Sequence, residues 1–433
     1  MQSLWNILGF RENPYFATPL TISREGVDLF VGRGAEIRRL LGKWDSSTGA
    51  TTVIGGNIGT GKTSFLNVCQ YLCLMGKREF DLAFDPPLIM PCVKTVQLEE
   101  KIEEHNLLGR FIRSAINSVR WSCSLLGEPV PPVVTETADW MDSLNQSEST
   151  SKGGGGTVLG VGGSATFSVS VAKRKLEDFS PDSLVDRLAA LADSARLIRN
   201  YRGIVMAIDN IEMVDSDEVI KLLNKYRDTL FAMRSVWWVL IGQRGLYDLI
   251  DAEAPRVTQR IKGTETTLEG LSWDDFNLAT QARLNFYRLR DDAVAPIGEE
   301  LLRVLFDASS GEIRYVFKVA DEIITDAIAD DPKLRTIPPS QAERILQNST
   351  KQQLGRLKLS DREKRVLRLI CEKGSARPKD YKDYSIQNAP NFIQGYLQPL
   401  QEKGLLARST QGNAATYAPR PLAILGSRFK LLG

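Results

Sequence analysis

Histidine is nearly absent from this sequence, with His105 as its single example among 433 residues. That residue lies in the polar stretch LEEKIEEHNLLGR, and no Ser or Cys motif supplies a nucleophile for it to activate. Catalytic triads and histidine-rich metal sites are therefore excluded, and we interpret His105 as a solvated helix residue.

Cysteine is also scarce. The five cysteines are odd in number and lack the paired spacing of a zinc site or a disulfide framework: Cys69, Cys73, Cys92, Cys123 and Cys371. They are typical of small core residues in a reducing compartment. The sequence also lacks a run of about 18 apolar residues and the basic start of a signal peptide. We expect a cytoplasmic protein without a membrane segment.

The charge that is present is unevenly distributed. Residues 356–433 hold 15 Lys and Arg against 6 Asp and Glu, whereas the whole chain carries a net charge of only +2. A basic terminal module on an acidic body is typical of a module that has an anionic partner, although a plain solvated surface has the same composition.

The stretch GGNIGTGKTS follows a short β-type run and precedes an apolar stripe of helical period. Its glycines, Lys62 and Thr63 have the spacing of a Walker A phosphate-binding loop. Backbone N–H groups and the helix N-terminus would hold the phosphates, Lys62 would reach the outer ones, and Thr63 would offer a hydroxyl to Mg²⁺. The loop residues predicted to bind nucleotide are Gly56, Asn57, Gly59, Thr60, Gly61, Lys62, Thr63 and Ser64.

Two further apolar runs complete the predicted site. The run 203–209 closes on Asp209, which we interpret as the Walker B carboxylate that holds the metal. The run 236–241 is followed by Gln243 and Arg244. Because ligands bind beyond the carboxyl ends of parallel strands, these two side chains can reach the outer phosphate or the attacking water, or they are ordinary loop residues.

Several segments together resemble the AAA+ and related STAND-type ATPases, and within AAA+ most closely the origin-recognition and helicase-loader branch. The segments are Asn13-Pro14-Tyr15, LFVGRGAEI at 29–37, the phosphate loop, RVTQR at 256–260 and LEGLSWDD at 268–275. The resemblance implies ATP and Mg²⁺ as ligands, with Val31, Gly32 and Arg33 over the adenine.

The same resemblance implies residues that act between subunits and between domains. Arg260, or alternatively Arg256, would act in trans on the ATP of a neighbouring copy, which implies a homo-oligomer; a plain surface arginine is the alternative. The segment GEIR at 311–314 resembles the sensor 2 motif of the lid, which would place Arg314 against the phosphates.

One position departs from the family pattern. Many hydrolysing members have Glu directly after the Walker B Asp, whereas this chain has Asn210, with Glu212 two residues later. An amide can orient water but cannot accept its proton. We therefore expect ATP binding with slow or partner-stimulated hydrolysis, and Glu212 is the candidate replacement base.

The predicted organisation has three parts. Residues 1–270 form an α/β P-loop base with a parallel sheet, and 122–180 form an insertion in it. A protruding hairpin is expected at 157–171, ending in Lys173-Arg174-Lys175; it contacts DNA or a neighbouring subunit, or it is a flexible surface insertion. Residues 271–355 form an all-α lid.

Residues 356–433 are predicted to form a winged helix. Ser360 and Glu363 have the spacing of a capping box, and Pro399 is expected to kink the third helix. The outward amides of that helix could contact adenine edges and nearby cations could meet phosphates. The predicted DNA contacts are Asn391, Gln394 and Gln398 for bases, and Lys379, Lys382, Arg408 and Arg420 for phosphates.

These features favour an oligomeric, ATP-dependent switch or loader that associates with duplex DNA and with a further protein partner. The alternative is a STAND-type signalling or defence ATPase in which the winged helix is an internal latch or a protein-docking module.

Overall fold

The computed structural model describes residues 3–149, 175–411 and 414–433. Their contacts form two compact units. One is Pro19–Glu269, which we call the sheet unit; the other combines the residues up to Thr18 with Gly270–Gly433, and we call it the helical unit. The hairpin expected at 157–171 lies outside the described residues. The bounds expected for the base, the lid and the winged helix stay predictions.

The chain forms helices and strands with the following bounds, in chain order. The helices are α1 (Leu4–Leu8), α2 (Arg24–Asp28), α3 (Gly34–Asp45), α4 (Lys62–Met75), α5 (Glu104–Leu126), α6 (Pro132–Ser149), α7 (Pro181–Ser194), α8 (Ser216–Tyr226), α9 (Leu246–Glu253), α10 (Pro255–Thr258), α11 (Trp273–Tyr287), α12 (Glu299–Ser309), α13 (Ile313–Asp330), α14 (Pro339–Arg356), α15 (Asp361–Lys373), α16 (Ala389–Phe392), α17 (Gln398–Glu402) and α18 (Pro421–Arg428). The strands are β1 (Ala50–Gly56), β2 (Val96–Gln97), β3 (Ile204–Asp209), β4 (Val236–Gly242), β5 (Thr266–Leu268), β6 (Leu406–Gln411) and β7 (Ala414–Pro419).

The sheet unit is built on a parallel sheet with the strand order β2-β3-β4-β1-β5. The register sets Ile208 of β3, Leu240 of β4 and Val53 of β1 side by side, so these strands end at one edge of the sheet. Alternate residues enter two separate cores, as Met206 and Ala207 do. Because helices cover both faces, the strands are almost continuously apolar. The expected α/β fold class is confirmed.

Helices α5, α6 and α7 cover one face of the sheet. Trp140 of α6 lies between the ring of Phe179, 5.0 Å away, and the guanidinium of Arg187, 4.0 Å away. The described part of the insertion is therefore helical and packed. His105 is half-buried and its Nε2 lies 3.1 Å from the carbonyl oxygen of Phe179, so it is less solvated than the sequence indicated.

The helical unit contains α1, the helices α11–α14 and a winged helix. These four helices fall within 271–355, and their assignment as a lid stays a prediction. In the winged helix, Ser360 and Glu363 form the expected capping box. The third helix changes to a π-helical turn at Ile393–Leu397 before Pro399. That turn accommodates a residue that has no N–H to donate.

The cysteines pack as predicted: Cys69, Cys73, Cys92 and Cys123 are buried, and Cys371 is half-buried. Among the described residues, no helix is both long and apolar enough to cross a bilayer.

Candidate nucleotide-binding site

The loop after β1 is shaped by its glycines. Gly59 and Gly61 have φ values of 81° and 87°, a region that residues with a Cβ rarely adopt. A Cβ on Gly56 would lie 2.6 Å from the carbonyl oxygen of Leu268 and 2.8 Å from Oγ1 of Thr60. A Cβ on Gly61 would meet nothing within 4 Å, so the loop faces open space there. Its N–H groups are thus able to surround a phosphate oxygen.

Lys62, the first residue of α4, is bent back over this loop. Its Nζ donates hydrogen bonds to the carbonyl oxygens of Gly56, at 2.8 Å, and Asn57, at 3.0 Å. Thr60 Oγ1 donates to the same Asn57 oxygen at 2.9 Å. The ammonium group is therefore held by the loop at the N-terminus of α4, where anions bind most favourably.

Asp209 lies at the same edge of the sheet. It follows Ile208, which pairs with Leu240, so β4 alone separates its strand from the strand of the phosphate loop. The hydroxyl of Thr63 and this carboxylate are oxygen ligands of the kind that Mg²⁺ prefers. The residues present therefore fit a magnesium nucleotide.

Asn210 has a left-handed backbone with φ 59°, and its N–H donates to Oδ1 of Asp209 at 2.8 Å. Asn is one of the few residues with a Cβ that adopt this conformation readily. A glutamate would be strained in this conformation.

Glu212 returns to the sheet edge through the short turn that follows. Its Oε2 lies 3.6 Å from the point that a Cβ on Gly242 would occupy. Glu212, Gln243 and Arg244 line one cavity of about 300 Å³ at the ends of β3 and β4. The sequence predicted only that these three polar residues follow strands of the same sheet. The structure shows that they line one cavity.

Arg33 and Arg244 both bind Glu269, a residue that sequence reasoning missed. Arg244 Nη1 lies 2.9 Å from Oε1 of Glu269, and Arg33 Nη2 donates to the backbone oxygen of the same residue. The Arg33 side chain is only 8% exposed and also lies 3.5 Å from Glu36. In this conformation both guanidinium groups hold the residue that follows β5.

The segment before α2 is attached to the phosphate-loop helix, another contact that sequence reasoning missed. Leu20 N donates to Ser64 Oγ at 3.0 Å, and Asn67 Nδ2 donates to the Leu20 oxygen at 2.8 Å. The buried Gln70 then accepts from Cys92 N at 2.5 Å. Positions 64, 67 and 70 lie on one face of α4, and this polar spacing within an apolar helix is a signal that could have identified them.

Glu265 is a further residue that sequence reasoning missed. Its carboxylate accepts hydrogen bonds from the N–H groups of Gly245, at 3.3 Å, and Tyr247, at 3.2 Å, at the start of α9. A Cβ on Gly55 would lie 2.0 Å from the same carboxylate. Glu265 therefore joins the end of β1 to the turn that carries Gln243.

Arg260 and Arg256 differ in their surroundings. Arg260 Nη2 lies 2.7 Å from Oδ1 of Asp228, and hydrogen bonds from Arg227 and Arg260 lower the pKa of that carboxyl group. Arg256 is exposed on α10, and no ion pair is seen for it within the described residues. A role in trans stays a prediction, and Arg256 is the more accessible candidate for it.

The residues predicted for DNA lie on exposed surface of the helical unit. They are Lys379, Lys382, Asn391, Gln394, Gln398, Arg408 and Arg420. Gln398 Nε2 donates to Glu402 at 3.0 Å, so its amide is partly committed within its helix.

Arg314 is exposed at the start of α13, next to Glu312. Burial raises the pKa of Glu312, and the charges of Arg314 and Arg420 oppose that rise. Arg420 is therefore close enough to affect the pKa of Glu312, and its side chain is also exposed. The sensor role of Arg314 stays a prediction.

The glycine loop after β1, the carboxylate at the end of β3 and the parallel sheet define the class: a P-loop nucleotide-binding fold. No family model matches the chain, and no significant match is found among curated proteins. Several solved structures are similar to it.

Three of these structures illustrate the similarity. Cdc6p from Pyrobaculum aerophilum has 14% identity and a TM-score of 0.47 over 97% of both chains. The Aeropyrum pernix ORC1 protein in complex with DNA has 13% identity and a TM-score of 0.47, over 100% of this chain and 99% of that one. The Walker-type ATPase of Pyrococcus abyssi has 13% identity and a TM-score of 0.49, over 95% of this chain and 99% of that one. At these values the assignments rest on the residues of the chain itself.

Proposed function

We propose that the chain binds ATP with Mg²⁺ and acts as a DNA-associated switch that hydrolyses ATP slowly or on stimulation by a partner. The observation that carries this proposal is the common edge of the sheet: the open glycine loop and Lys62 follow β1, and Asp209 ends β3, which β4 alone separates from β1. A magnesium ion bound there would neutralise the developing phosphate charge.

We expect slow hydrolysis because of two nearby residues, Asn210 and Glu212, which lie one and three positions after Asp209. Asn210 cannot accept a proton from water, and its left-handed backbone disfavours a glutamate in its place. Glu212 borders the cavity at the strand ends and is the nearest carboxylate in sequence that could accept the proton.

The test separates binding from turnover. Glu212→Gln should lower ATP turnover by about 100-fold, the usual contribution of a general base, while the Kd for ATP stays within about twofold. Glu218→Gln, an exposed carboxylate on α8, is the matched control and should change neither quantity. Unchanged turnover in the Glu212 variant would remove that residue from the proposal, and absent ATP binding in the parent chain would remove the proposal itself.

The DNA part of the proposal rests on the winged helix and its exposed amides and cations. The full chain should bind duplex DNA with an affinity that falls steeply as salt rises. ATP between copies would promote assembly into homo-oligomers, with Arg256 or Arg260 acting on a neighbour. Sedimentation that is identical with and without ATP would contradict this assembly.

A second candidate is the STAND-type switch, in which the winged helix is a latch. One observation favours it: the winged helix packs in the same compact unit as α12 and α14, with Leu354 of α14 in the core of the winged helix. Salt-insensitive or absent DNA binding, together with ATP-dependent assembly, would support this candidate over the first.

A further inference from the structure

The C-terminal residues of the helical unit pack tightly on helix α14. A Cβ on Gly426 would lie 2.6 Å from Cδ1 of Leu354, and Leu432 is buried in the same core. Because of this packing, α14 and the turn after α18 form the two sides of one open cleft of about 370 Å³. Its lining includes Ser340, Glu343, Arg344, Arg428, Phe429 and Lys430.

Three of these residues are exposed cations: Arg344, Arg428 and Lys430. Within the described residues, no ion pair or side-chain hydrogen bond is seen for any of them. Glu343 is the single carboxylate of the lining. Three like charges around one carboxylate repel one another, and an anion in the cleft would relieve that repulsion.

The backbone that carries two of the cations, Arg428 and Lys430, forms an ordered turn. Lys430 has a left-handed backbone with φ 55°, its N–H donates to Ser427 at 3.0 Å, and Leu431 N donates to Gly426 at 2.8 Å. Arg368 also donates to the terminal carbonyl of Gly433. The charges therefore lie on a folded turn, so an anion that binds them does not have to order this backbone.

We propose that this cleft is a second phosphate-contacting surface for duplex DNA, separate from the helix that carries Gln394. The proposal rests on the DNA association in the proposed function. The cleft is open and its cations come from two elements, which suits a repeating backbone of phosphates more than a single enclosed phosphate. Such contacts add affinity and orientation without sequence preference.

The experiment measures the salt dependence of DNA binding by the full chain. A labelled duplex of about 30 base pairs and mixed sequence is titrated between about 50 and about 300 mM NaCl, since each phosphate contact contributes about 0.9 to the logarithmic slope. The variant R344Q/R428Q/K430Q should lower the magnitude of that slope by about 2 to 3.

A matched control removes three cations that already have partners. Arg78, Arg196 and Arg303 are about half exposed and lie 2.6, 3.9 and 3.0 Å from Asp85, Asp193 and Asp307. The variant R78Q/R196Q/R303Q has the same net charge as the cleft variant, and its slope should match that of the parent chain. All six positions are on the surface, and thermal melts should confirm that both variants fold.

The outcomes distinguish a failure of the cleft proposal from a failure of the proposed DNA association. A cleft variant whose slope stays within about 0.5 of the parent overturns the cleft while leaving DNA association intact. Equal losses in the cleft and control variants also overturn it, because net charge alone would then explain the effect. A parent chain that does not bind the duplex overturns DNA association and the cleft together. If the triple variant does not fold, K430Q alone should lower the slope by about 0.9.

Discussion

The sheet unit and the helical unit present their candidate sites in different ways. In the sheet unit the site is made largely of backbone: the conformations of Gly59, Gly61 and Asn210 and the close approach at Gly56 give the edge its shape. In the helical unit the candidate surface consists of exposed side chains such as Gln394, which lies in the π-helical turn of the third helix. A single substitution in the first unit should therefore change the shape of a site, whereas one in the second should remove a single contact.

The largest effect is expected where a charge is removed from the site of the sheet unit. Lys62→Ala removes the ammonium that lies on the loop carbonyls, and ATP affinity should fall by about 100-fold because charge-assisted hydrogen bonds to phosphate are lost. Titration with a fluorescent ATP analogue measures this. Lys77→Ala, an exposed lysine just beyond α4, should bind ATP as the parent does. Equal affinities for the Lys62 variant and the parent would contradict the assignment of the loop.

A glycine in the sheet unit should be more sensitive than one in the helical unit. Gly55→Ala places a methyl group against the carboxylate of Glu265, which three hydrogen bonds hold in place, so the free energy of unfolding should fall by about 2 kcal/mol. Combining it with Glu265→Ala removes the clash. The double variant should therefore lose less free energy of unfolding than the sum of the losses in the two single variants. Chemical denaturation measures the cycle.

The control for this cycle lies in α14 of the helical unit. A Cβ on Gly355 would meet nothing within 4 Å. Gly355→Ala should therefore stabilise its helix by up to about 1 kcal/mol, through helix propensity alone. Destabilisation of similar size at both glycines would break the contrast between the units.

The sequence could predict features that depend on local patterns, but it could not predict contacts between distant residues. The phosphate loop, Asp209 and the parallel strands were predictable because each depends on a short pattern or a continuous apolar run. Glu265 and Glu269 were not, because their partners lie about 20 residues away or, for Arg33, more than 200 residues away. These contacts form only when distant parts of the chain meet on folding, so no local sequence pattern predicts them.

Position 210 shows a further limit of sequence reasoning. The sequence reveals an amide where a carboxylate is common in the resembling family, but only the structure shows that the backbone there is left-handed. The substitution can therefore be explained by backbone conformation as well as by chemistry. Resemblance alone predicts that Val31, Gly32 and Arg33 lie over the adenine, and in the structure the Arg33 side chain is buried against Glu269.

A single amide on the third helix of the winged helix should have a smaller and more selective effect. Gln394 is exposed on the outward face of that helix, and Gln394→Ala should weaken binding to a preferred duplex by about tenfold, the value of one bidentate base contact. Fluorescence anisotropy measures this. The salt slope should stay unchanged, since no phosphate contact is removed. A change in slope without a change in sequence preference would show that this face meets only the backbone.

The smallest effect concerns a hydroxyl group in the core of the helical unit. Tyr15 is fully buried against Phe317, and its hydroxyl has no hydrogen-bond partner among the described residues; burial also raises its pKa. Tyr15→Phe removes an unsatisfied polar atom, so the free energy of unfolding should rise by about 1 kcal/mol.

The matched control for Tyr15 is a buried tyrosine of the sheet unit. Tyr201 donates its hydroxyl to the carbonyl oxygen of Leu74, so Tyr201→Phe should lower the free energy of unfolding by about 1 kcal/mol. The same chemical change is thus expected to have opposite signs in the two units. Chemical denaturation of both variants tests this, and a loss of stability in both would show that the Tyr15 hydroxyl is satisfied in solution.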